Sequence, residues 1–325
     1  MDVKGLKFGI VDFHCDALSK LHQDPSIHFS DDQKLDVSAF KLKQGGIKLQ
    51  CFAIFVSERL GQGRIGHILE QIRLFRTEVE ACGLPLVTSR QQLAALVASG
   101  GSGGLLSLEG ADALEGNLSY LRCCYDLGVR FLGITWNHAN WAADGIMESR
   151  GGGFTQKGKE LVQACHELGI ILDVSHLSPK GFWELTELAE TAGKPFIASH
   201  SNSFSVCNHP RNLSDEQIRA IVRLGGRIGI TFVPYFVKSE GPVKMTDLLP
   251  HLEYMCSLGA ENHLVFGSDF DGIDHHIAGL ENAAKYSDLR EMLLKYYSGA
   301  LADKWLYQNA LKFLQTQIPA TKKTL

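Results

Sequence analysis

The sequence predicts an α/β protein of the TIM-like (β/α)8 barrel class, with a metal site at the C-terminal ends of the strands. Three observations carry this prediction. Short apolar runs rich in β-branched and aromatic residues recur along the chain, and amphipathic stretches separate most of them. Metal-binding side chains also recur at the same end of run after run. Strands are expected near 9–15, 49–55, 104–108, 131–136, 170–175, 196–199, 227–233 and 264–268. Strand–helix alternation implies parallel pairing through helical crossovers. Eight such units suit a closed barrel better than the alternative, an open doubly wound sheet.

Helical patterns fall at 68–82, 118–127, 156–168, 179–192, 214–224 and 246–258. Three open on capping residues: Ser178 before Pro179, Ser214 before Asp215, and Thr246 before Asp247. Gly128, Gly169 and Gly259 stop others, because glycine accepts the left-handed conformation that ends a helix. Residues 21–40 are less regular and predict an excursion after the first strand, and the tail at about 320–325 is expected to fray. The whole chain, 1–325, is expected to be a single barrel domain.

Composition narrows the partners. A net charge of −4 over 325 residues, with no block of Lys and Arg, argues against nucleic acid. No apolar run is long enough to span a bilayer, and residues 1–7 lack a signal peptide's apolar core, so a cytoplasmic protein without membrane attachment is expected. Eight cysteines lie scattered with no Cys-x-x-Cys pair, which fits thiols in a reducing compartment.

The strand ends carry the chemistry. The first run ends in His14-Cys15-Asp16, and alternation puts His14 and Asp16 on one face and Cys15 on the other. The third ends at Glu109, the fourth runs into His138, and the fifth, sixth and eighth end in His176, His200 and Asp269. Burying so many polar groups unpaired would cost several kcal/mol, whereas a metal centre uses them. His14 with Asp16 forms one cluster and His176 with His200 another, and Glu109 can bridge them. Imidazole and carboxylate donors without thiolate suit two zinc ions, with manganese, iron or cobalt as other divalent choices. Two ions so placed would share a hydroxide nucleophile. Gly61-Gln-Gly-Arg-Ile-Gly66 has the spacing of a dinucleotide loop, but Ser57–Leu60 separates it from the strand and no acidic strand end follows about 20 residues on, so a rim loop is expected. His275-His276 reads as a solvated loop, since adjacent side chains diverge.

Seven segments in order resemble the membrane (renal) dipeptidases and their bacterial homologues, within the amidohydrolase-like barrels. They are Val11–Leu18, Ser107–Gly110, Thr135–His138, Leu172–Ser178, Ser199–Cys207, His209–Leu213 and Phe266–Gly272, and Asn309–Phe313 resembles the family's closing helix. The resemblance implies a zinc dipeptidase that acts on substrates with a free C-terminal carboxylate and tolerates or prefers a D-residue at the second position. It makes His14 and Asp16 ligands of one zinc, His176 and His200 ligands of the other, and Glu109 the bridge. It gives His138 the substrate and its oxyanion, Arg211 the terminal carboxylate and Asp269 the proton transfers, and it implies a homodimer. Phe13 and Cys15 depart from the family pattern, and Tyr235 is the nearest candidate for a further substrate contact. The alternative reading of Arg211 is an ion pair with Asp215 on the following helix. A lactonase, deaminase or nuclease on the same barrel is the rival reading, and a non-catalytic ligand-binding barrel is the rival from another class.

Overall fold

The computed structural model describes residues 9–30, 33–57 and 60–321, so the last four residues of the expected tail lie outside the described residues. Eight strands close a parallel barrel in sequence order: β1 (Ile10–Cys15), β2 (Ile47–Phe55), β3 (Gly103–Glu109), β4 (Val129–Gly133), β5 (Ile171–Asp173), β6 (Ile197–Ala198), β7 (Arg227–Ile230) and β8 (Leu264–Phe266). The last strand returns to the first through Asp12 and Phe266. β5, β6 and β8 are shorter than expected, because near the rim side-chain hydrogen bonds replace the backbone ladder.

The excursion after β1 contains α1 (Ala17–Gln23) and α2 (Ala39–Gly45). The expected helix at 68–82 is α3 (Ile65–Leu74), continued by a widened turn at Phe75–Val79 and a 3-10 turn at Glu80–Cys82. The widening seats the Phe75 ring on Gly104, where a Cβ would lie 2.6 Å from Phe75 Cζ. Then come α4 (Arg90–Ser99), α5 (Leu118–Leu127), α6 (Gln156–Leu168), α7 (Pro179–Ala192), α8 (Asp215–Arg223), α9 (Pro234–Val237), α10 (Leu249–Ser257), α11 (Tyr286–Tyr296), α12 (Gly299–Asp303) and α13 (Asn309–Gln317). The caps read from sequence form: Ser178 Oγ accepts from Gly181 N, and Ser214 with Gln217 closes a capping box. Thr246 is not a cap; it lies within a 3-10 turn, Met245–Leu248, leading into α10.

Two apolar layers hold the barrel. Val11, Phe13, Leu49, Cys51, Leu105, Phe131 and Val265 fill the interior, where Phe13 and Phe131 meet across the barrel with centroids 5.4 Å apart. Ala310, Phe313 and Leu314 of α13 close this layer. The outer layer sets the other strand faces, including Leu106, Leu108, Leu132 and Leu172, against the helices. Cys15 belongs there, and all eight cysteines are free thiols.

Two glycines position the site. A Cβ on Gly229 of β7, or on Gly267 just past β8, would lie 1.8 Å from the Ser199 carbonyl oxygen. Their bare backbones let the chain beyond β6 lean across the barrel towards β1. Gly229→Ala should therefore destabilise the fold by about 3 kcal/mol, through forced displacement of the 199–201 backbone. Urea unfolding measures the loss, and an unchanged midpoint would contradict the packing argument.

Candidate metal centre

The side chains that converge on the barrel mouth owe their direction to local irregularities. Val11 and Phe13 point into the barrel, so strict alternation would send His14 outward. The β1–β2 register shifts between Asp12 and Cys15, and this irregularity re-aims His14 and Asp16 into the mouth while Cys15 faces the helices. On β3 the alternation is unbroken, and Glu109 follows Leu105 and Ser107 on the inner face. His176 and His200 lie just past β5 and β6, where Asp173 turns the chain. Its Oδ1 accepts from Ser175 N at 3.0 Å and from Ser199 N at 2.9 Å. Asp12 does the same between β1 and β8, accepting from His14 N at 3.2 Å and from Ser268 N at 2.9 Å.

His14 Nε2 is buried without a hydrogen-bond partner. Three carboxylates face it: Asp16 Oδ2 at 3.3 Å, Glu109 Oε2 at 3.6 Å and Asp269 Oδ1 at 3.7 Å. Glu109 turns its other oxygen to His176 Nε2 at 3.0 Å and His200 Nε2 at 3.8 Å. One carboxylate thus touches both clusters, as a bridge must. His14, Asp16 and Asp269 form one compact donor group, and His14, Glu109 and His200 another.

The hydrogen bonds behind the imidazoles set their tautomers. Ser199 Oγ donates to Asp173, so it accepts from His200 Nδ1 at 2.7 Å. Asn137 Oδ1 accepts from His176 Nδ1 at 3.0 Å. Both Nε2 atoms then present lone pairs that face each other 2.9 Å apart, and that of His176 also accepts from Arg211 Nη2 at 3.0 Å. Two lone pairs beside a carboxylate form a donor set for a cation, and an N–H held by a fixed acceptor is what orients a metal-ligating histidine. The residues present therefore fit divalent metal, with mixed nitrogen and oxygen donors suited to zinc.

Burial and mutual charge push the ionisations apart. Burial works against a charged His14, yet Glu109 and Asp16 hold its pKa well above the usual imidazole range. Burial and the Arg211 charge lower His176 to about 4, and burial with His14 depresses His200 as well. Burial would raise Glu109, but His14 and His176 keep it well below the ordinary carboxylate range. Asp269 is pushed well above that range by burial, with Asp16 and Glu109 adding to the rise. Its backbone sits at φ 67°, in the left-handed region.

Above these groups lies a cavity of about 360 Å³. Asp16, Glu109, His176, Arg211 and Asp269 line it together with Phe55, Trp136, Asn137, His209 and Tyr235. His138 is not among them. The 136–147 segment turns, with Gly145 N donating to the His138 carbonyl and Met147 N to that of Asn137, and the His138 side chain is exposed. Trp136 and Asn137 take the inner positions, and His138, the residue expected to meet the substrate, stands outside the cavity lining. Sequence reasoning passed over both residues because neither an indole nor an amide carries a metal or proton signature. Arg211 is buried and not paired with Asp215, whose oxygens accept from Ser205 Oγ and Tyr254 OH. Asp271 is an anchor: it accepts from Asp36 N at 2.7 Å and Val37 N at 2.9 Å, and Lys20 Nζ pairs with it at 2.9 Å. His276 bonds Asp36, so His275-His276 is no metal pair. At the Gly61–Gly66 loop the protein's own carboxylate takes the helix N-terminus, since Glu115 accepts from Ile65 N at 3.1 Å and pairs with Arg64.

Barrel and donor set together define a metal-dependent hydrolase of the barrel type. The profile of the membrane dipeptidases, peptidase family M19, matches residues 6–324. The chain belongs to that family and is by that membership a metallo-dipeptidase. A Klebsiella pneumoniae protein known as an uncharacterized protein in the pqqA 5' region is 33% identical over 223 residues, 64% of this chain and 79% of its own length. The dipeptidase aclJ of Aspergillus oryzae is 32% identical over 197 residues, 58% of this chain but only 45% of that protein. A Rhodobacter sphaeroides metallopeptidase, solved with a phosphinate mimic of the dipeptide L-Ala-D-Ala, superposes with a TM-score of 0.86. It is 24% identical, over 95% of this chain and 99% of its own. Among the described residues no helix is long and apolar enough to cross a membrane.

Two outcomes test the centre. Ser199→Ala removes the oxygen that orients His200 and should weaken zinc binding about 10- to 100-fold in competition with a chromophoric chelator. In the metal-free protein, the His176 imidazole should stay neutral until the pH nears 4, read by NMR titration. Since the unfolded chain takes up this proton near pH 6.5, His176 supports the fold fully above that pH and loses its contribution as pH falls towards 4.

Proposed function

We propose that this protein hydrolyses the peptide bond of dipeptides bearing a free C-terminal carboxylate, with two zinc ions held by His14, Asp16, Glu109, His176 and His200, and that it accepts a D-residue at the second position. The observation that carries the reading is Arg211. The residue is 4% exposed, its Nη1 has no partner, and its Nη2 lies 3.0 Å from His176 Nε2. A buried cation with an unpartnered donor, beside the metal ligands in a residue that lines the cavity, suits a carboxylate close to the reacting bond. Arg211 then requires a free carboxylate one residue beyond the cut, which sets the length of the substrate.

Bound divalent ions would supply Lewis acidity to the scissile carbonyl and lower the pKa of water at the site. The protein's own groups do the rest. Asp269, with its carboxyl raised by burial, can take a proton from the attacking water and deliver it to the leaving amine. Arg211 holds the carboxylate, and Trp136, packed on Phe55 with centroids 5.1 Å apart, forms an apolar wall that limits water and orients the substrate. The phosphinate mimic of L-Ala-D-Ala bound by the Rhodobacter relative supports acceptance of the D-configuration. The same arginine argues against lactones, nucleobases and nucleic acids, none of which requires a buried carboxylate receptor.

Zinc-reconstituted protein should cleave L-Ala-L-Ala and L-Ala-D-Ala and leave the corresponding tripeptides intact; no cleavage across a broad dipeptide panel would overturn the reading. Asp269→Asn should retain its metal by elemental analysis while kcat drops at least about 100-fold. Arg211→Met should lower kcat/KM about 100-fold, mostly through KM.

A further inference from the structure

We propose that His209 is a specificity-determining residue whose neutral imidazole donates a hydrogen bond to the substrate's terminal carboxylate beside Arg211, an inference that rests on the dipeptidase reading. His209 lines the cavity and is half-buried. Its Nδ1 accepts from the Arg211 backbone N–H at 3.2 Å, and a neutral imidazole with Nδ1 accepting carries its proton on Nε2. Among the described residues no group accepts from that Nε2–H, and the atom is not buried against protein.

The ring is held for this task. It packs on Phe236 at a tilt of 36° with centroids 4.4 Å apart and meets Tyr235 at 5.6 Å. The Arg211 guanidinium lies over the same Phe236 ring, 5.3 Å from its centroid. Phe236 is thus a common platform for two donors, Arg211 Nη1–H and His209 Nε2–H, neither of which has a protein partner. A carboxylate has two oxygens and can engage one donor with each. A charged donor beside a neutral one also fixes the orientation of the carboxylate plane, and with it the stereochemistry of the last residue. Because Arg211 carries the charge, His209 contributes direction, and its role should show in affinity rather than in the chemical step.

Two substitutions separate this role from simple support of the Arg211 loop. In His209→Gln the amide nitrogen reaches the position of Nε2 and keeps the donor. In His209→Asn the amide oxygen keeps the acceptor for Arg211 N but nothing reaches the carboxylate. The probe is the phosphinate mimic of L-Ala-D-Ala, together with an analogue in which hydrogen replaces its terminal carboxylate. Both are titrated calorimetrically into the zinc-loaded protein, and kcat and KM for L-Ala-D-Ala are measured alongside. His209→Asn should weaken the mimic about 10-fold and raise KM similarly with kcat nearly unchanged, while His209→Gln stays within about threefold of the natural protein. Neither substitution should alter binding of the analogue without the carboxylate.

The opposite order, with Asn preserving affinity and Gln losing it, would assign His209 to loop support and overturn the proposal. Equal losses for both ligands, or no loss for either, would do the same, as would failure of the mimic to bind the natural protein. If the mimic binds in the expected order but no dipeptide is cleaved, the dipeptidase reading fails and the carboxylate contact stands.

Discussion

His14 and His200 lie far apart in the chain, yet their rings meet with centroids 3.9 Å apart over a buried carboxylate. Placing imidazole lone pairs and acidic oxygens at such distances is unfavourable unless cations join them. The rest of the mouth can be understood as the means of enforcing that convergence. Gly229 and Gly267 give up their side chains so that the Ser199 carbonyl can lie against their backbones. The β1 irregularity turns His14 inward after two residues of barrel interior. The donors are therefore held by backbone geometry, which is harder to displace than a rotamer.

A second device repeats under the ligands. Asp12 and Asp173 are buried carboxylates, each accepting backbone and hydroxyl protons from two neighbouring segments at the end of the barrel. Each stitches a pair of strands where the ladder stops, so the chain can leave the barrel without unpaired N–H groups. Ser199 extends one of these stitches to a ligand by standing between Asp173 and His200. Asp271 and Asp36 form a related clasp, in which each accepts from the other's backbone N–H and so ties the excursion after β1 to the segment carrying Asp269. Stability and site geometry share the same hydrogen bonds.

Much of the site was legible because metal donors are few residue types and barrel rims collect strand ends. His14, Asp16, Glu109, His176, His200 and Asp269 stand together at the mouth. Arg211, named for its chemistry, lies free of the acidic partner that a local reading offered it. His138 lies outside the cavity lining for a physical reason: past the end of a strand there is no fixed periodicity, and the turn at 137–147 faces Trp136 and Asn137 inward. Trp136 and Asn137 gave no signal because hydrophobic wall and second-contact amide are roles that any rim can assign to many residues. The Gly61–Gly66 loop shows the converse, a pattern whose anion position is taken by the protein's own Glu115.

The sequence by itself determined the barrel, its strand order and the inventory of donors, because alternation, helix caps and strand-end residues are local properties carried by adjacent positions. It also determined that Cys15 is no ligand, though the route differs: the outward turn of Cys15 comes with a register shift in β1 and not from uninterrupted alternation. Tertiary structure alone decided which Nε2 atoms face each other, which glycines admit the Ser199 carbonyl, and which donors lie free in the cavity. Those depend on distances between segments brought together only when the barrel closes, and no spacing along the chain encodes them.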